Sequence, residues 1–339
     1  MHEARLYQRL AEGHTACGLC AHRCLISPGG RGRCLVRENQ GGRLVSLVYG
    51  RLVVRNIDPI EKKPLFHFLP GSRTYSIATV GCNFRCRHCQ NNRIAHCPHS
   101  PADAVPGTVT DPGEVVAAAK QAGCASISYT YVEPTIFYEF AYDCARMAKA
   151  QGIYNVFVSN GYMTVETVRS LASVLDAINI DLKGFTDSFY QEVCKAELAP
   201  VLESIRLFHA LGVLVEVTTL LIPGLNDSKA ELRAIARFLN SVSPDIPWHV
   251  TAFHPAGALR NRPPTPAAAL CAARVIGMEE GLRFVYLGNV PASGGENTHC
   301  PICGLLLVRR RRFTGQVTAM QGNRCSGCAT LIPGLWAGG

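Results

Sequence analysis

The feature that most constrains the fold is a regular alternation of strand-length apolar runs and helical stretches that begins near Thr74. The apolar runs are, in order, "TYSIATV", "ASISYTY", "YNVFVS", "AINIDL", "VLVEVTTLLI", "WHVTAF" and "RFVYLG". Helical stretches separate them, and the first, "DPGEVVAAAKQAG", offers Asp111 as an N-cap and Pro112 for the first turn. Strand and helix alternating in this way predict a parallel sheet with its helices outside.

Six or seven such repeats indicate an α/β fold, a partial (β/α)6-type barrel or a full barrel, with an open doubly wound sheet as the alternative. We expect a cysteine-rich N-terminal region at residues 1–70, the barrel at residues 71–292 and a small C-terminal module at residues 293–339. A β-hairpin is predicted within "RLVSLVYGRLVVRN", Arg43 to Asn56, where apolar and polar residues alternate around Gly50. The turn-rich "DPIEKKPLFHFLPG" that follows is expected to be an ordered loop.

Polar residues recur where the predicted strands end. Because the carboxyl ends of parallel strands carry the active site in both candidate folds, these residues predict one pocket. They are Glu133, Ser159, Asn160, Asp181, Lys183 and His254. Each also has an ordinary interpretation: Glu133 as a surface acid, Asp181 and Lys183 as a simple ion pair, and His254 as a satisfied loop histidine.

Twelve of the sixteen cysteines lie in three tight sets. The N-terminal sequence is polar rather than signal-like, and no apolar run reaches the ~18 residues that a membrane span needs. We therefore expect a cytoplasmic chain without a membrane association, in which clustered cysteines ligate metals rather than form disulfides. The sets are Cys17/Cys20/Cys24/Cys34, then Cys82/Cys86/Cys89 with Cys97 nearby, then Cys300/Cys303/Cys325/Cys328.

The central set follows the first predicted strand with the spacing C-x3-C-x2-C. A loop of this kind can ligate three irons of a 4Fe–4S cluster and leave the fourth iron for a small chelating molecule. His88, just before the last cysteine, is expected to shield the cluster rather than ligate it. The alternative is half of a zinc site, completed by Cys97 or His96.

The outer sets have the spacing of closed metal sites. The C-terminal set consists of two C-x2-C knuckles, which predict a zinc-ribbon or rubredoxin-like module that holds zinc or iron. The N-terminal set is expected to hold a metal as well, with zinc favoured over a second cluster and His22 as a substitute ligand.

The net charge of +9 is partly concentrated in "RRRR" at residues 309–312. A solvated edge is the favoured interpretation. A nucleic-acid patch is the alternative, but it lacks interleaved aromatic residues.

Four segments together resemble the radical S-adenosylmethionine (SAM) superfamily: "TVGCNFRCRHCQN", "YTYVEPTIFYE", "NIDLKGF" and "DPIEKKPLFHFLPGS". Within it the chain resembles the radical SAM protein of the AmmeMemoRadiSam group, which is similar to pyruvate formate-lyase activating enzyme. The resemblance covers roughly Thr74 to Pro291. It implies that Cys82, Cys86 and Cys89 hold a 4Fe–4S cluster whose fourth iron is chelated by the amino and carboxylate groups of SAM.

The resemblance also implies roles for the strand-end residues. Glu133 would meet the SAM amino group, Asp181 and Lys183 would lie near the SAM carboxylate, and His254 near the ribose. Ser159 and Asn160 match a polar motif of the activating enzymes at the end of the third strand.

The implied chemistry is oxidoreductase-like. A reduced cluster would cleave SAM to methionine and a 5′-deoxyadenosyl radical, which would abstract hydrogen from a substrate. A flavodoxin- or ferredoxin-type protein would supply the electron. The substrate could be a glycine of a partner protein, as for a glycyl-radical activating enzyme, or a small molecule, peptide or RNA. A non-catalytic zinc-rich binding protein is the alternative from another class, and the three-thiol loop favours the enzyme.

Overall fold

The computed structural model describes residues 2–100, 102–290 and 294–336. The N-terminal region consists of short strands in two small antiparallel sheets. One sheet contains His2–Glu3, Arg37–Gln40 and Arg43–Ser46; the other contains Tyr7–Arg9, Thr15–Cys17 and Leu25–Ile26.

The hairpin of this region lies elsewhere than predicted. Arg37–Gln40 pairs with Arg43–Ser46 around a turn at residues 41–42, where both glycines have positive φ. After Gly50, Arg51–Leu52 pairs instead with Thr108–Val109. The prediction of a hairpin within residues 43–56 was therefore wrong, because strand-like alternation does not say which strand is the partner.

One sheet of eight strands organises the rest of the chain, and we number its strands β1 to β8 in chain order. Neighbours in the sheet are neighbours in sequence throughout; β2 to β8 are parallel, and β1 lies antiparallel to β2 at one edge. The strands are β1 Val54–Pro59, β2 Arg73–Ala78, β3 Ser126–Tyr129, β4 Tyr154–Ser159, β5 Ala177–Asp181, β6 Leu214–Leu221, β7 Trp248–Ala252 and β8 Val285–Gly288.

Longer helices connect the parallel strands from β2 onward. They are α1 Pro112–Gln121, α2 Tyr138–Lys149, α3 Val165–Ala172, α4 Ala199–Ala210, α5 Lys229–Val242 and α6 Ala267–Glu279. This arrangement confirms the predicted α/β fold with a parallel sheet. A doubly wound sheet reverses its strand order at one point, and the order found here does not reverse.

Local signals in the sequence explain where α1 begins. The Asp111 side chain accepts a hydrogen bond from the backbone N–H of Gly113 at 2.7 Å, and Glu114 accepts one from the N–H of Asp111. This reciprocal capping box satisfies N–H groups that the first helical turn leaves without partners.

The predicted ordered loop, residues 58–71, packs against buried side chains of the sheet. The carboxylate of Glu216 on β6 is fully buried and accepts hydrogen bonds from the backbone N–H groups of Phe66 and His67. His249 on β7 lies 2.6 Å from the same carboxylate, and the His67 ring lies 2.7 Å from the Tyr286 hydroxyl on β8. The Phe66 ring also contacts the His249 ring, with 4.6 Å between centroids, so residues 60–71 are fixed to three neighbouring strands.

The C-terminal region forms a three-stranded antiparallel sheet, followed by the paired strands Met320–Gln321 and Arg324–Cys325. Within "RRRR", Arg310 is buried, donates to the carbonyl of Phe66, and lies 4.2 Å from its ring. The other three arginines are exposed. The predicted boundary between residues 292 and 293 lies outside the described residues. The strands of the first sheet are Thr298–His299, Leu306–Arg311 and Thr314–Val317.

A search of the described helices found none that combines the length and the hydropathy needed to cross a bilayer.

Candidate active site

A cavity of about 480 Å³ lies at the carboxyl ends of the parallel strands. Its size falls in the range of small-molecule sites. It is lined by residues that follow or end β2 to β8, and by residues of the loop at 60–71 and of the C-terminal region. Lining residues from the sheet include Cys82, Cys86, Cys89, Glu133, Ser159, Asn160, Asp181, Lys183, Thr218, His249 and Asn289. One pocket therefore gathers most of the predicted strand-end residues.

The three-cysteine loop after β2 is held by backbone hydrogen bonds on two sides. The N–H groups of Arg85 and Arg87 donate to the carbonyls of Cys194 and Val193, at 3.0 and 2.9 Å. The N–H of Ala258 donates to the carbonyl of Arg87 at 2.7 Å. These contacts fix the loop so that all three thiols line the cavity.

Cys194 is a buried cysteine that packs beside the three-cysteine loop. A hydrogen bond with the Cys194 thiol, together with burial, holds the pKa of Cys86 well above its usual value. Cys194 itself is fully buried and is not among the residues that line the cavity. No local pattern pointed to it, because the contact depends on how the chain after β5 folds back.

The geometry does not support the alternative of a zinc site completed by Cys97 or His96. Neither Cys97 nor His96 lines the cavity, and neither belongs to a group of three or more ligand atoms within 4.8 Å of one another in the described ranges. His88 does line the cavity, and burial lowers its pKa to about 3, so its imidazole is neutral near pH 7.

The Glu133 carboxylate is buried at the floor of the site, with 3% of the residue exposed. It accepts hydrogen bonds from the Thr135 hydroxyl and backbone N–H, from the Ser159 hydroxyl at 2.8 Å, and from the backbone N–H of Asn160 at 2.7 Å. Burial raises its pKa. No lysine, arginine or histidine of the described residues forms an ion pair with it. The hydrogen bonds just named are therefore what stabilises its charge.

Asn160 joins this carboxylate to the cysteine loop. Its side-chain amide donates to the Asn83 side-chain oxygen at 2.7 Å, next to Cys82. Asn83 Nδ2 is buried and has no hydrogen-bond partner within the described ranges. An unpaired buried donor beside the thiols is a group that a ligand of the site can satisfy.

Tyr131, two residues before Glu133, has a φ of 66°. This left-handed conformation favours glycine and costs other residues about 1–2 kcal/mol. Here the Tyr131 hydroxyl donates to Asp58 at 2.6 Å, and Lys63 Nζ lies 4.6 Å from the ring centroid. These contacts hold the strained backbone at the cavity wall.

Asp181 and Lys183 form an ion pair, as their ordinary interpretation predicts, with 2.9 Å between Oδ2 and Nζ. Both residues also line the cavity, so the ion pair and a place in the site are compatible. His254 is placed differently: it is exposed, lies 3.4 Å from the carbonyl of Asn289, and is not among the lining residues. The histidine that lines the cavity from β7 is His249.

Other lining residues come from segments distant in sequence. Lys62 and Lys63 belong to the loop at 60–71, and Arg312 and Phe313 belong to the C-terminal region. Sequence reasoning missed them, because only the tertiary arrangement brings these segments to the strand ends.

The C-terminal cysteines form a compact group. Cys300 and Cys328 have their sulfurs 3.5 Å apart, Cys303 and Cys325 theirs 3.6 Å apart, and all four lie within 4.8 Å of one another. A Zn–S bond of about 2.3 Å gives tetrahedral S–S edges of about 3.8 Å, so this group can hold one metal ion. The N-terminal set, Cys17/Cys20/Cys24/Cys34, lines a second cavity of its own.

Comparisons with known proteins agree with this geometry. A family model described as the "Radical SAM superfamily" matches residues 76–239. The chain is 44% identical over 335 residues to "Uncharacterized protein MJ0808" of Methanocaldococcus jannaschii, covering 98% of this chain and 99% of that protein.

More distant similarities include two proteins that carry the name of an activating enzyme. A second protein of M. jannaschii, MJ1632, provisionally named a glycyl-radical enzyme activating enzyme, is 25% identical over 182 residues, covering 52% of this chain and 66% of its own length. A solved domain of the pyruvate-formate lyase-activating enzyme from Bacteroides vulgatus is 21% identical, with a TM-score of 0.44, covering 48% of this chain and 99% of that one.

Proposed function

The chain belongs to the radical SAM superfamily, and we propose that Cys82, Cys86 and Cys89 hold the 4Fe–4S cluster with which it cleaves SAM. Held by these three cysteines, a reduced cluster would supply one electron for cleavage of SAM to methionine and a 5′-deoxyadenosyl radical, and that radical would abstract hydrogen from a substrate. The protein's part is to hold SAM and substrate together in the cavity and to keep water out.

The observation that carries this proposal is that one cavity contains both the three cysteines and a buried carboxylate. Three cysteines line it, together with the buried Glu133, whose carboxylate forms no ion pair with any of the described residues. A buried carboxylate without a cationic partner is costly. An ammonium group would compensate it, and SAM carries one beside its carboxylate. The donor set therefore fits both the cluster and SAM.

The other strand-end residues take roles that follow from their contacts. Ser159 and Asn160 orient the Glu133 carboxylate, since both donate hydrogen bonds to it. The Lys183 ammonium suits the SAM carboxylate, and Asp181 orients Lys183 through their ion pair. His254 has no assigned part, because it does not line the cavity.

The finer assignments belong to the same proposal. We place the chain in the AmmeMemoRadiSam group, supported by "DPIEKKPLFHFLPGS", whose Lys62 and Lys63 line the cavity. The sheet would form a partial (β/α)6 barrel, and the C-terminal module a zinc ribbon. A flavodoxin- or ferredoxin-type donor would work with the enzyme in the cytoplasm on a substrate that the cavity alone does not identify.

Anaerobic turnover tests the proposal. The protein is reconstituted with iron and sulfide, reduced with dithionite and supplied with SAM, and the products are separated by liquid chromatography with mass detection. We expect methionine and 5′-deoxyadenosine from the wild type and from Cys97→Ala, and none from Cys86→Ala. Equal product from Cys86→Ala and the wild type, or none from the wild type, would refute it.

A glycyl-radical activating enzyme is the second candidate, and the similarity to MJ1632 favours it. It predicts that a partner protein acquires a glycine-centred radical, visible by electron paramagnetic resonance (EPR), when incubated with the reduced enzyme and SAM. A gene for such a partner beside the gene for this chain would identify the protein to test.

A further inference from the structure

Two neighbouring lysines share one carboxylate at the wall of the active-site cavity. Lys62 Nζ lies 2.9 Å from Asp58 Oδ1, and Lys63 Nζ lies 2.7 Å from Asp58 Oδ2. Both lysines line the cavity. Two ammonium groups beside one carboxylate leave one positive charge without a counterion, and this disfavours the charged form of at least one of the two amines.

The two lysines differ in burial. Lys62 keeps 43% of its side chain exposed, so water helps to stabilise its charge, whereas Lys63 keeps 2% exposed. The hydrogen bond with Asp58 raises the pKa of Lys62. Burial lowers the pKa of Lys63 to about 8, with Lys62 adding to the shift and Asp58 opposing it. About a tenth of the Lys63 side chain is therefore a neutral amine at pH 7.

The hydrogen bonds of Lys63 suit a neutral amine better than an ammonium group. Its bond to Asp58 Oδ2 is the one that it forms with the described residues, and the same oxygen accepts a hydrogen bond from the Tyr131 hydroxyl at 2.6 Å. The Tyr131 ring lies beside the amine, with 4.6 Å from Nζ to the centroid. An ammonium group has three N–H donors, so two of them lack a hydrogen-bond partner here. A neutral amine has one donor fewer, and its lone pair can react with a ligand in the cavity.

The third lysine that lines the cavity is placed differently. Lys183 lies 2.9 Å from Asp181, and within the described ranges no second cation pairs with that carboxylate. The proposed function gives the Lys183 ammonium to the SAM carboxylate. Lys63 thus differs from Lys183 in having to share its carboxylate with another lysine. A buried lysine next to a second cation is the arrangement that activates an amine to attack carbonyl groups.

We propose that Lys63 is a nucleophile that binds a carbonyl substrate, an aldehyde or a ketone, as an imine in the active-site cavity. Nζ attacks the carbonyl carbon, and a C=N bond replaces the C=O bond. The carbonyl oxygen leaves as water with the two hydrogens of the neutral amine, and hydrolysis reverses the step. No electrons are gained or lost. Imine formation does not require SAM, whereas the use of the imine to hold the substrate for hydrogen abstraction rests on the proposed function.

Reductive trapping tests the imine. The reconstituted protein, without SAM, is incubated anaerobically at pH 7 with pyruvate or hydroxyacetone, a charged and a neutral ketone of similar size. Sodium cyanoborohydride reduces any imine to a stable secondary amine, and peptide mass spectrometry measures the modified fraction of each lysine. With at least one ketone we expect Lys63 to be modified at least about tenfold faster than Lys120, an exposed lysine on α1. Modification of Lys63 no faster than that of Lys120 with both ketones would overturn the proposal.

Two variants of the neighbouring lysine separate reactivity from accessibility. In Lys62→Gln, Asp58 has no cation other than Lys63 to pair with, so more of Lys63 stays protonated and its modification should slow severalfold. Lys62→Arg keeps the second cation and should restore most of the rate. Equal rates in the two variants would overturn the activation of Lys63 by its neighbour, on which the proposal depends.

Lys63→Arg identifies the modified residue. Arginine keeps a cation beside Asp58 but forms no imine under these conditions, so the excess over the modification of exposed lysines should disappear while the thermal unfolding midpoint stays near that of the wild type. An excess that persists in this variant would place the imine elsewhere and overturn the assignment. SAM cleavage with dithionite is measured separately: cleavage without trapping at Lys63 would refute the imine alone, and trapping without cleavage would refute the proposed function alone.

Discussion

At the scale of single residues, the candidate site depends on one buried carboxylate that has no ion-pair partner among the described residues. Glu133 accepts hydrogen bonds from four donors yet forms no ion pair with any of the described residues. A buried carboxyl group without a cationic partner either has a raised pKa or binds a cationic ligand. Burial does raise the pKa of Glu133. The carboxylate is therefore set up to gain from a bound ammonium group.

The first prediction follows from that carboxylate. Glu133→Gln keeps the size of the side chain but removes its charge and one acceptor, so SAM should bind at least about tenfold more weakly, since a charge-assisted hydrogen bond contributes roughly 1.5–3 kcal/mol. Equilibrium dialysis of the reconstituted protein measures the affinity. Glu166→Gln, an exposed glutamate on α3, serves as the control and should bind SAM like the wild type. An unchanged affinity in Glu133→Gln would exclude the carboxylate from SAM binding.

The sequence predicted the residues whose position is set by their own strand. Ser159 and Asp181 end β4 and β5, and the carboxyl ends of parallel strands meet at one edge of the sheet. Lys63 and Arg312 were not predicted as part of the site, because they reach the cavity through tertiary packing of distant segments, whereas His249 was missed although it lies on β7 itself. The roles of the predicted residues remain to be tested by the experiments above.

At the scale of elements, α6 shows how a packing contact can override helix propensity. Gly277 lies in the last turn of α6, where a Cβ atom would be 2.9 Å from Val285 Cγ2 and 3.0 Å from the Trp248 ring. Both neighbours are buried strand residues of β8 and β7. The missing side chain lets the helix approach the sheet at this point.

The second prediction concerns this contact. Gly277→Ala should gain up to about 1 kcal/mol of helix propensity, yet an overpacking cost of about 1–3 kcal/mol against Trp248 should outweigh the gain and leave the protein destabilised by up to about 2 kcal/mol overall. Val275→Ala lies on an exposed face of the same helix and should leave the stability within about 0.5 kcal/mol of the wild type. Urea denaturation of both variants checks the comparison. A stabilised Gly277→Ala would show that the helix can move away from the sheet.

The elements that were predicted well are those with a strong local period. "YNVFVS" coincides with β4, Tyr154–Ser159, and Asp111 caps α1 as its sequence indicates. The hairpin was displaced because Arg43–Ser46 and Arg51–Leu52 have the same alternation but different partners. Pairing depends on contacts between distant segments, which a local pattern does not contain.

The third prediction concerns the C-terminal knuckles. The sulfurs of Cys300, Cys303, Cys325 and Cys328 all lie within 4.8 Å of one another, so the two knuckles can close on one ion. Cys303→Ser/Cys328→Ser should lose about one zinc per chain and keep its iron, because the mutated sulfurs belong to this group alone. Elemental analysis of the purified protein measures both metals. Loss of iron in step with zinc would contradict a separate site.

At the scale of the whole molecule, one buried network joins the three predicted regions. His67, from the loop before β2, lies 2.7 Å from the Tyr286 hydroxyl on β8 and 2.7 Å from the carbonyl of Pro333 in the C-terminal region. Glu216 on β6 accepts the backbone N–H of His67, and Arg310 packs on the preceding residue, Phe66. A charge on His67 would therefore interact with groups of the loop, the sheet and the C-terminal region.

The fourth prediction concerns the pH dependence of that network. Burial lowers the pKa of His67 to about 4, although Glu216 opposes the shift and Arg310 and His249 add to it. As the pH falls from 7 to 5, the unfolded chain takes up a proton at this histidine and the folded chain does not. The wild type should therefore lose about 2 kcal/mol of its free energy of unfolding from this residue over that interval.

Comparison with a variant isolates this contribution from those of the other histidines. His67→Gln removes the titrating ring and can keep one of its two hydrogen bonds, so it should be less stable than the wild type at pH 7 but lose about 2 kcal/mol less on going to pH 5. His209→Gln, an exposed histidine on α4, should keep the wild-type slope. Urea denaturation at both pH values provides the measurement. Because His67 contacts all three regions, its protonation should lower the midpoint of one cooperative transition, and separate transitions for the C-terminal region and the sheet would show that the network does not couple them.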